Sequence, residues 1–451
     1  MTSPIPPPLA VAGVSLPFLT DLDPDESREG SLDPMGLAPL ADRLADLIAP
    51  DVTARMSRVR FITAIAVGAT VTAGMQDLIA ADGVTPAYIA FEWHLVEALA
   101  RQRDLQASAT LGVPGIGKAR SMLALGPGRH LDSHSYLKGP RVFGFTGVYK
   151  RLARALGIVT PEIALLERGD TIARIWEQES GLQGFTEQRS GTAGGNLARS
   201  LVREVQRALF EGSVRLTPRS PVWGKLAAGL RPDRAGVRER TKLRAWLQDS
   251  EQPVRTELTE RIATERRHST GDRSDADLLR AVAPHASPEL AIRIGAIEAY
   301  ERAAQLLYAG FQGLLYVSTG YGTAPVAVDR ASEHQLFERI ALAIPSALRQ
   351  ASEQLEPLGL TQSLDEAFGT FDAIDSPTSL VDALLEHHVL VQRAKGRLPW
   401  LAIDGLGFRV RRFDYRRTDE PTISDGYIHP YRARSLNSFL ADLGSSGDRH
   451  S

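Results

Sequence analysis

Residues 146–157 read Thr146-Gly147-Val148-Tyr149-Lys150-Arg151-Leu152-Ala153-Arg154-Ala155-Leu156-Gly157. Threonine is a good helix N-cap, and Gly157 stands where a C-cap glycine belongs. At about 100° per residue, Val148, Tyr149, Leu152, Ala155 and Leu156 gather on one side. Lys150, Arg151 and Arg154 gather on the other. The stretch therefore predicts a helix that buries one face and offers three cations on the opposite one. Around it, residues 112–159 carry eight Lys/Arg against Asp132 alone, a net of +7 in a chain whose formal charge is −2. Charge segregated in this way attracts polyanions even when the whole molecule is nearly neutral.

The residues that follow extend the pattern. Ile158-Val159 and Ile163–Leu166 read as two short strands, Glu167-Arg168-Gly169 as a turn, and Thr171–Glu179 as a helix. This order, a helix followed by a small β-wing, resembles the winged-helix version of helix-turn-helix modules over roughly residues 112–180. The resemblance implies that Lys150, Arg151 and Arg154 lie at nucleic acid and that Arg168 occupies the wing tip. It also implies that Lys138 and Arg141 approach phosphates from the preceding loop. An ordinary amphipathic helix with a solvated basic face, or a winged helix used for protein contact, would carry the same residues.

Gly112-Val113-Pro114-Gly115-Ile116-Gly117-Lys118-Ala119 approaches a phosphate-binding loop. It lacks the hydroxyl after lysine that would hold Mg²⁺, because Ala119 stands there, and the residues before it are polar rather than a buried strand. A glycine-rich turn between helices is the expectation. His130 and His134 are spaced as helical metal ligands but sit in a loop without a third ligand. His387 and His388 end a helix, where protonated imidazoles suit the helix dipole. There is no G-x-S-x-G elbow. Gly369–Asp375 reads as a loop, and Asp404 followed by Arg409 is not a nuclease pattern. No catalytic residue, cofactor or metal site is expected.

The chain has 451 residues, 43% apolar and 24% charged, and no cysteine. Disulfides, thiolate metal sites and cysteine nucleophiles are thereby excluded, and a reducing cytoplasm is the expected location. The most apolar run, Phe61–Met75, is too short to span a bilayer, so no membrane partner is expected. Arginine outnumbers lysine 46 to 6, so a single arginine is not by itself a phosphate contact. Arg199, Arg203 and Arg207 recur every fourth residue and form a basic helical stripe. From Ser287 to Leu390 the sign reverses, with fourteen acids against five arginines in a helical pattern.

The expected fold is mainly α and multi-domain. A proline-rich acidic leader (1–30) precedes an N-terminal helical domain (31–108) and a winged-helix-like basic module (109–190). A basic helical and linker region (191–286), an acidic helical bundle (287–395) and a C-terminal β-hairpin and tail (396–451) follow. Ser190–Gly195 reads as linker and Glu265–Asp277 as loop. Near the C-terminus, Tyr427, His429, Tyr431 and Arg432 interleave aromatic and cationic groups. Such a cluster suits contact with a partner protein or with nucleic acid, or packing of the tail against the bundle.

Asp33-Pro34 leading to Ala49-Pro50 and Arg58-Val59-Arg60-Phe61, then Ala299-Tyr300-Glu301-Arg302, then His429-Pro430-Tyr431-Arg432, form a layout similar to uncharacterised bacterial proteins encoded near helicases and nucleases in phage-defence clusters. The expected function is a non-catalytic, DNA-binding component of such a multi-protein system. The alternatives are a protein–protein scaffold and an enzyme, nuclease or NTPase, with a site that no motif reveals.

Overall fold

The computed structural model describes residues 33–444 apart from 103–111, 127, 250, 269–270, 272, 425, 426 and 428. The acidic leader expected over residues 1–30 lies outside the described residues. The described chain is mainly helical, with one small antiparallel sheet. Three helices open it: α1 (Ala38–Ile48), α2 (Arg60–Val71) and α3 (Ala87–Ala100). Every residue of α2 is buried, which is why its sequence is apolar all round rather than along one stripe. The basic segment supplies α4 (Ile116–Ala124), α5 (Pro140–Phe143), α6 (Phe145–Ala155) and α7 (Glu167–Glu179).

The middle of the chain forms α8 (Ala193–Glu211), α9 (Pro221–Gly229), α10 (Val237–Gln248), α11 (Pro253–His268) and α12 (Asp275–Val282). Part of the expected linker belongs to α8, whose N-cap Thr192 accepts from the Gly195 amide. The start of the loop expected at Glu265–Asp277 likewise continues α11 as far as His268.

The acidic half is helical. Its axis is α13 (Pro288–Gly320), 33 residues long and so about 50 Å from end to end. Around it lie α14 (Val328–Ser332), α15 (Gln335–Leu355), α16 (Thr361–Phe368) and α17 (Pro377–Ala394). The hairpin pairs β1 (Leu401–Asp404) with β2 (Gly407–Val410), in the register Leu401↔Val410 and Ile403↔Phe408. The final helix, α18 (Ala433–Gly444), packs on α10, α11 and α12, while α1 packs on α13. The two ends of the described chain are thus built into its middle. One hydrophobic cluster runs from Met35 to Leu443, and the described residues belong to one compact unit.

Buried charges sit where they close helix ends. The Glu239 carboxylate accepts from the Gly236 amide at 3.0 Å, capping α10, and from Thr63 at 2.5 Å. It lies 3.1 Å from the Arg60 guanidinium, and the two side chains are 0% and 3% exposed. Burial pushes the Glu239 carboxyl up and the Arg60 guanidinium down, and each counters the other. Removing one member strands the other charge in the core. Glu239→Ala is expected to lower unfolding stability by about 3–5 kcal/mol, measured by urea denaturation. A loss below about 1 kcal/mol, the size of a surface ion pair, would show that the pair does not hold α2 against α10.

Candidate functional site

The basic segment rests on two carboxylates. In α3, Glu92 and Glu97 are 0% exposed within an otherwise almost wholly apolar helix. Glu92 accepts from the Tyr136 hydroxyl at 2.8 Å and from the Thr146 amide at 2.9 Å. The second bond places a carboxylate against the unpaired amides of the first turn of α6. Helix α6 accordingly starts at Phe145 with Gly144 as N-cap, and the expected N-cap, Thr146, is already inside the helix. Gly144 is required there because a β-carbon would collide with the Glu92 carboxylate. Burial pushes the Glu92 carboxyl up to about 7, against the hydrogen bonds that favour its anion.

Glu97 anchors the other end. It accepts from the Leu131 amide at 2.9 Å and Arg101 Nε at 3.0 Å, and lies 2.8 Å from His130 Nδ1. Burial raises its carboxyl, but these partners more than reverse that, so the net shift is downward. His130 thus serves Glu97, while His134 is exposed. No group of three or more potential metal ligands occurs among the described residues. The glycine turn before α4 is packed rather than open, since the Tyr136 ring lies against Gly115.

With its inner side fixed in this way, the segment carries cations outward. Lys118, Arg120, Arg129, Lys138 and Arg141 are exposed, as is the neighbouring Arg55, which lies 4.3 Å over the Phe143 ring. Arg141 also donates to the Val84 carbonyl at 2.9 Å. The one acid of the segment, Asp132, is engaged in its own turn, accepting from the Ser135 amide at 2.7 Å and the His134 amide at 3.0 Å.

The expected recognition face is placed differently. Val148, Tyr149, Leu152 and Leu156 are buried as the spacing predicts, although Ala155 is exposed. On the opposite side Arg151 is turned into the molecule, 2.9 Å from Asp46 Oδ1 of α1. Lys150 and Arg154 are half-buried, and neither is free. The two short strands reduce to a single bridge between Val159 and Leu165, because the chain turns tightly at Ile163, which has a φ of 61°. Arg168 is not at a wing tip but in the first turn of α7, 3.3 Å from Asp249 and 5.5 Å over the Trp246 ring.

In α8, Arg199 ties down the preceding loop through the Gln188 carbonyl and also bonds Asn196 of its own helix, both at 2.5 Å. Arg203 and Arg207 are exposed, the latter 3.5 Å from Glu204 and 3.7 Å from Glu211.

Tyr427, His429, Tyr431 and Arg432 turn inward rather than toward a partner. Tyr427 is half-buried, and the other three are less than 10% exposed. His429 Nε2 lies 3.2 Å from Asp42 of α1, though not in line for a hydrogen bond. Arg432, held at a φ of 70°, bonds to the same Asp46 oxygen as Arg151. Helix α6 and the C-terminal cluster, separate in the sequence, thus meet at one carboxylate. His387 Nε2 lies 2.7 Å from the Met35 carbonyl. His388 Nδ1 lies 2.9 Å from the Pro34 carbonyl, while its Nε2 accepts from the Trp400 amide at 2.8 Å. Burial lowers the His388 imidazole to about 4, so it is neutral rather than a cation for the helix dipole.

The residues behind the resemblance to defence-cluster proteins belong to these same joints. Tyr300 donates to the Leu37 carbonyl at 2.6 Å, and Arg58 pairs with Asp442 at 3.0 Å. Sequence reasoning missed Glu92, Glu97 and Asp46. The first two had a signal, two acids inside an apolar helix, but the third had none. Comparison with family models, with characterised proteins and with solved structures finds no match to this chain.

Glu92 makes the seat of the basic segment pH-sensitive. Its folded value of about 7 lies above the ordinary 4.5, so the folded state holds more protons between those limits. Stability contributed below 4.5 is therefore lost as pH rises through 7, by about 3 kcal/mol in all. In Glu92→Gln the amide oxygen accepts from the Thr146 amide and the NH2 group donates to the Tyr136 hydroxyl, with nothing left to titrate. Wild type should lose stability relative to Glu92→Gln across this window in denaturation at successive pH values, and parallel profiles would refute the assignment.

Proposed function

We propose that this chain is a non-catalytic, nucleic-acid-binding subunit, and that the contact surface is the segment of residues 112–143 rather than the exposed side of α6. One observation carries the reading. The inner groups of the segment, Tyr136, His130 and the Leu131 amide, are fixed on Glu92 and Glu97, while Lys118, Arg120, Arg129, Lys138 and Arg141 face solvent. A rigid backing with outward cations is what phosphate binding needs, because neutralising phosphates releases counterions. The pairing of Arg151 and Arg168 with Asp46 and Asp249 leaves them less suited to that role. The order of α6, bridge and α7 supports a winged-helix-like module with a vestigial wing. DNA is the ligand we favour. A place in the reducing cytoplasm fits a cysteine-free chain, and a place in anti-phage defence rests on the resemblance alone. No helix among the described residues is long and apolar enough to cross a membrane.

Fluorescence anisotropy with labelled duplex DNA and with RNA tests this, from about 50 to 200 mM salt. The triple variant Lys118→Glu, Lys138→Glu, Arg141→Glu should bind more weakly and flatten the slope of log K against log salt by about 2 to 3. Lys225→Glu with Lys242→Glu, exposed cations outside the segment, should leave that slope nearly unchanged. Equal binding by wild type and the triple variant would overturn the proposal.

A further inference from the structure

The acidic bundle carries a groove with a distinctive lining. Two cavities, of about 660 and 350 Å³, lie along α17 and share Asp382 and Glu386. The first also takes in Asp365 and Glu366 beside Leu390, and the second is walled by Ile403 and Leu406 of the hairpin. No lysine or arginine lines either cavity, although the chain has 52 of them. Leu390 and Leu406 are 63% and 78% exposed. An apolar floor with acidic walls is complementary to a helix that presents a large apolar side chain next to cations.

Such a helix is present in the same molecule. Phe210, near the end of α8, is 85% exposed, the most of any large apolar side chain among the described residues. Arg203 and Arg207 lie seven and three residues before it, on the same helical face, and both are exposed. The only acids near Arg207 on that helix, Glu204 and Glu211, are 3.5 and 3.7 Å away, and loose exposed pairs of this kind exchange at little cost. Helix α8 packs on α2, α3 and α9, whereas α17 packs on α13, α14 and α15. The knob and the groove therefore stand on different sets of helices.

We infer that Phe210, Arg203 and Arg207 of one molecule dock in the α17–hairpin groove of a second copy. Phe210 enters the larger cavity beside Leu390, and the arginines face Asp382 and Glu386. Two different surfaces meet in this contact, so it is heterologous. Each bound pair leaves one free knob and one free groove, and assembly continues head to tail as a ring or an open chain. Along such an assembly the 112–143 surfaces recur at a fixed spacing.

Light scattering and sedimentation over a range of protein concentrations test this with the full chain. Wild type should gain mass with concentration and lose it in high salt. Phe210→Glu removes the knob, and Asp382→Arg with Glu386→Arg removes the groove; each variant should stay at the mass of one chain. All three positions are on the surface of the groove or knob, and circular dichroism confirms that the variants fold. Mixing the two variants is the decisive arm. One intact knob and one intact groove remain between them, so they should form a one-to-one complex of about twice the single mass and stop there. Overturning results are a wild type that stays monomeric, including one whose groove takes up a basic amphipathic model peptide instead. Variants that associate like wild type, or a mixture that stays unpaired, overturn it equally.

Discussion

Two carboxylates on one buried helix determine where the basic part of this molecule lies. Glu92 and Glu97 of α3 have no access to water, so each must find hydrogen-bond donors inside the protein. They find them in a single segment, Tyr136 and the Thr146 amide for one, His130 and the Leu131 amide for the other. The same bonds satisfy the open end of α6 and draw the intervening loop down onto α3. Of the cations of the segment, Lys118, Arg120, Arg129, Lys138 and Arg141 are left exposed.

A third carboxylate, Asp46 of α1, plays the matching part on the other side. Its Oδ1 receives Arg151 of α6 and Arg432 of the chain that leads into α18. Because α1 also packs on α13, this one residue joins the basic segment, the C-terminal strap and the acidic bundle. The arrangement explains why the expected recognition face is not available as written. A guanidinium held by a partly buried carboxylate gains a charge-assisted bond that a phosphate would first have to displace.

Much of this was legible beforehand and some was not. The helical character, the long helices of the acidic half, the hairpin around Gly405 and the buried stripe of Val148, Tyr149 and Leu152 follow from spacing alone. The extent of the strands expected at Ile158–Val159 and Ile163–Leu166 was not legible, because no local pattern marks the tight turn at Ile163. One bridge is all they form. The aromatic and cationic cluster at 427–432 was recognised as a cluster, but its composition suits an interior joint as well as a surface. Only the position of α1 and α13 decides between them.

Sequence by itself determined the local properties: which segments become helices, which faces are apolar, and that positive and negative charge are separated along the chain. Each depends on residues within a turn or two of one another, and periodicity reports them directly. The tertiary structure alone decided which of these charges pair with carboxylates from distant parts of the chain. Arg151 meets a carboxylate 105 positions away, and Arg432 meets the same one from 386 positions away. No local pattern encodes such a meeting, because it requires the core to have folded first. A cation whose partner comes from so far along the chain looks, in sequence, the same as one that has none.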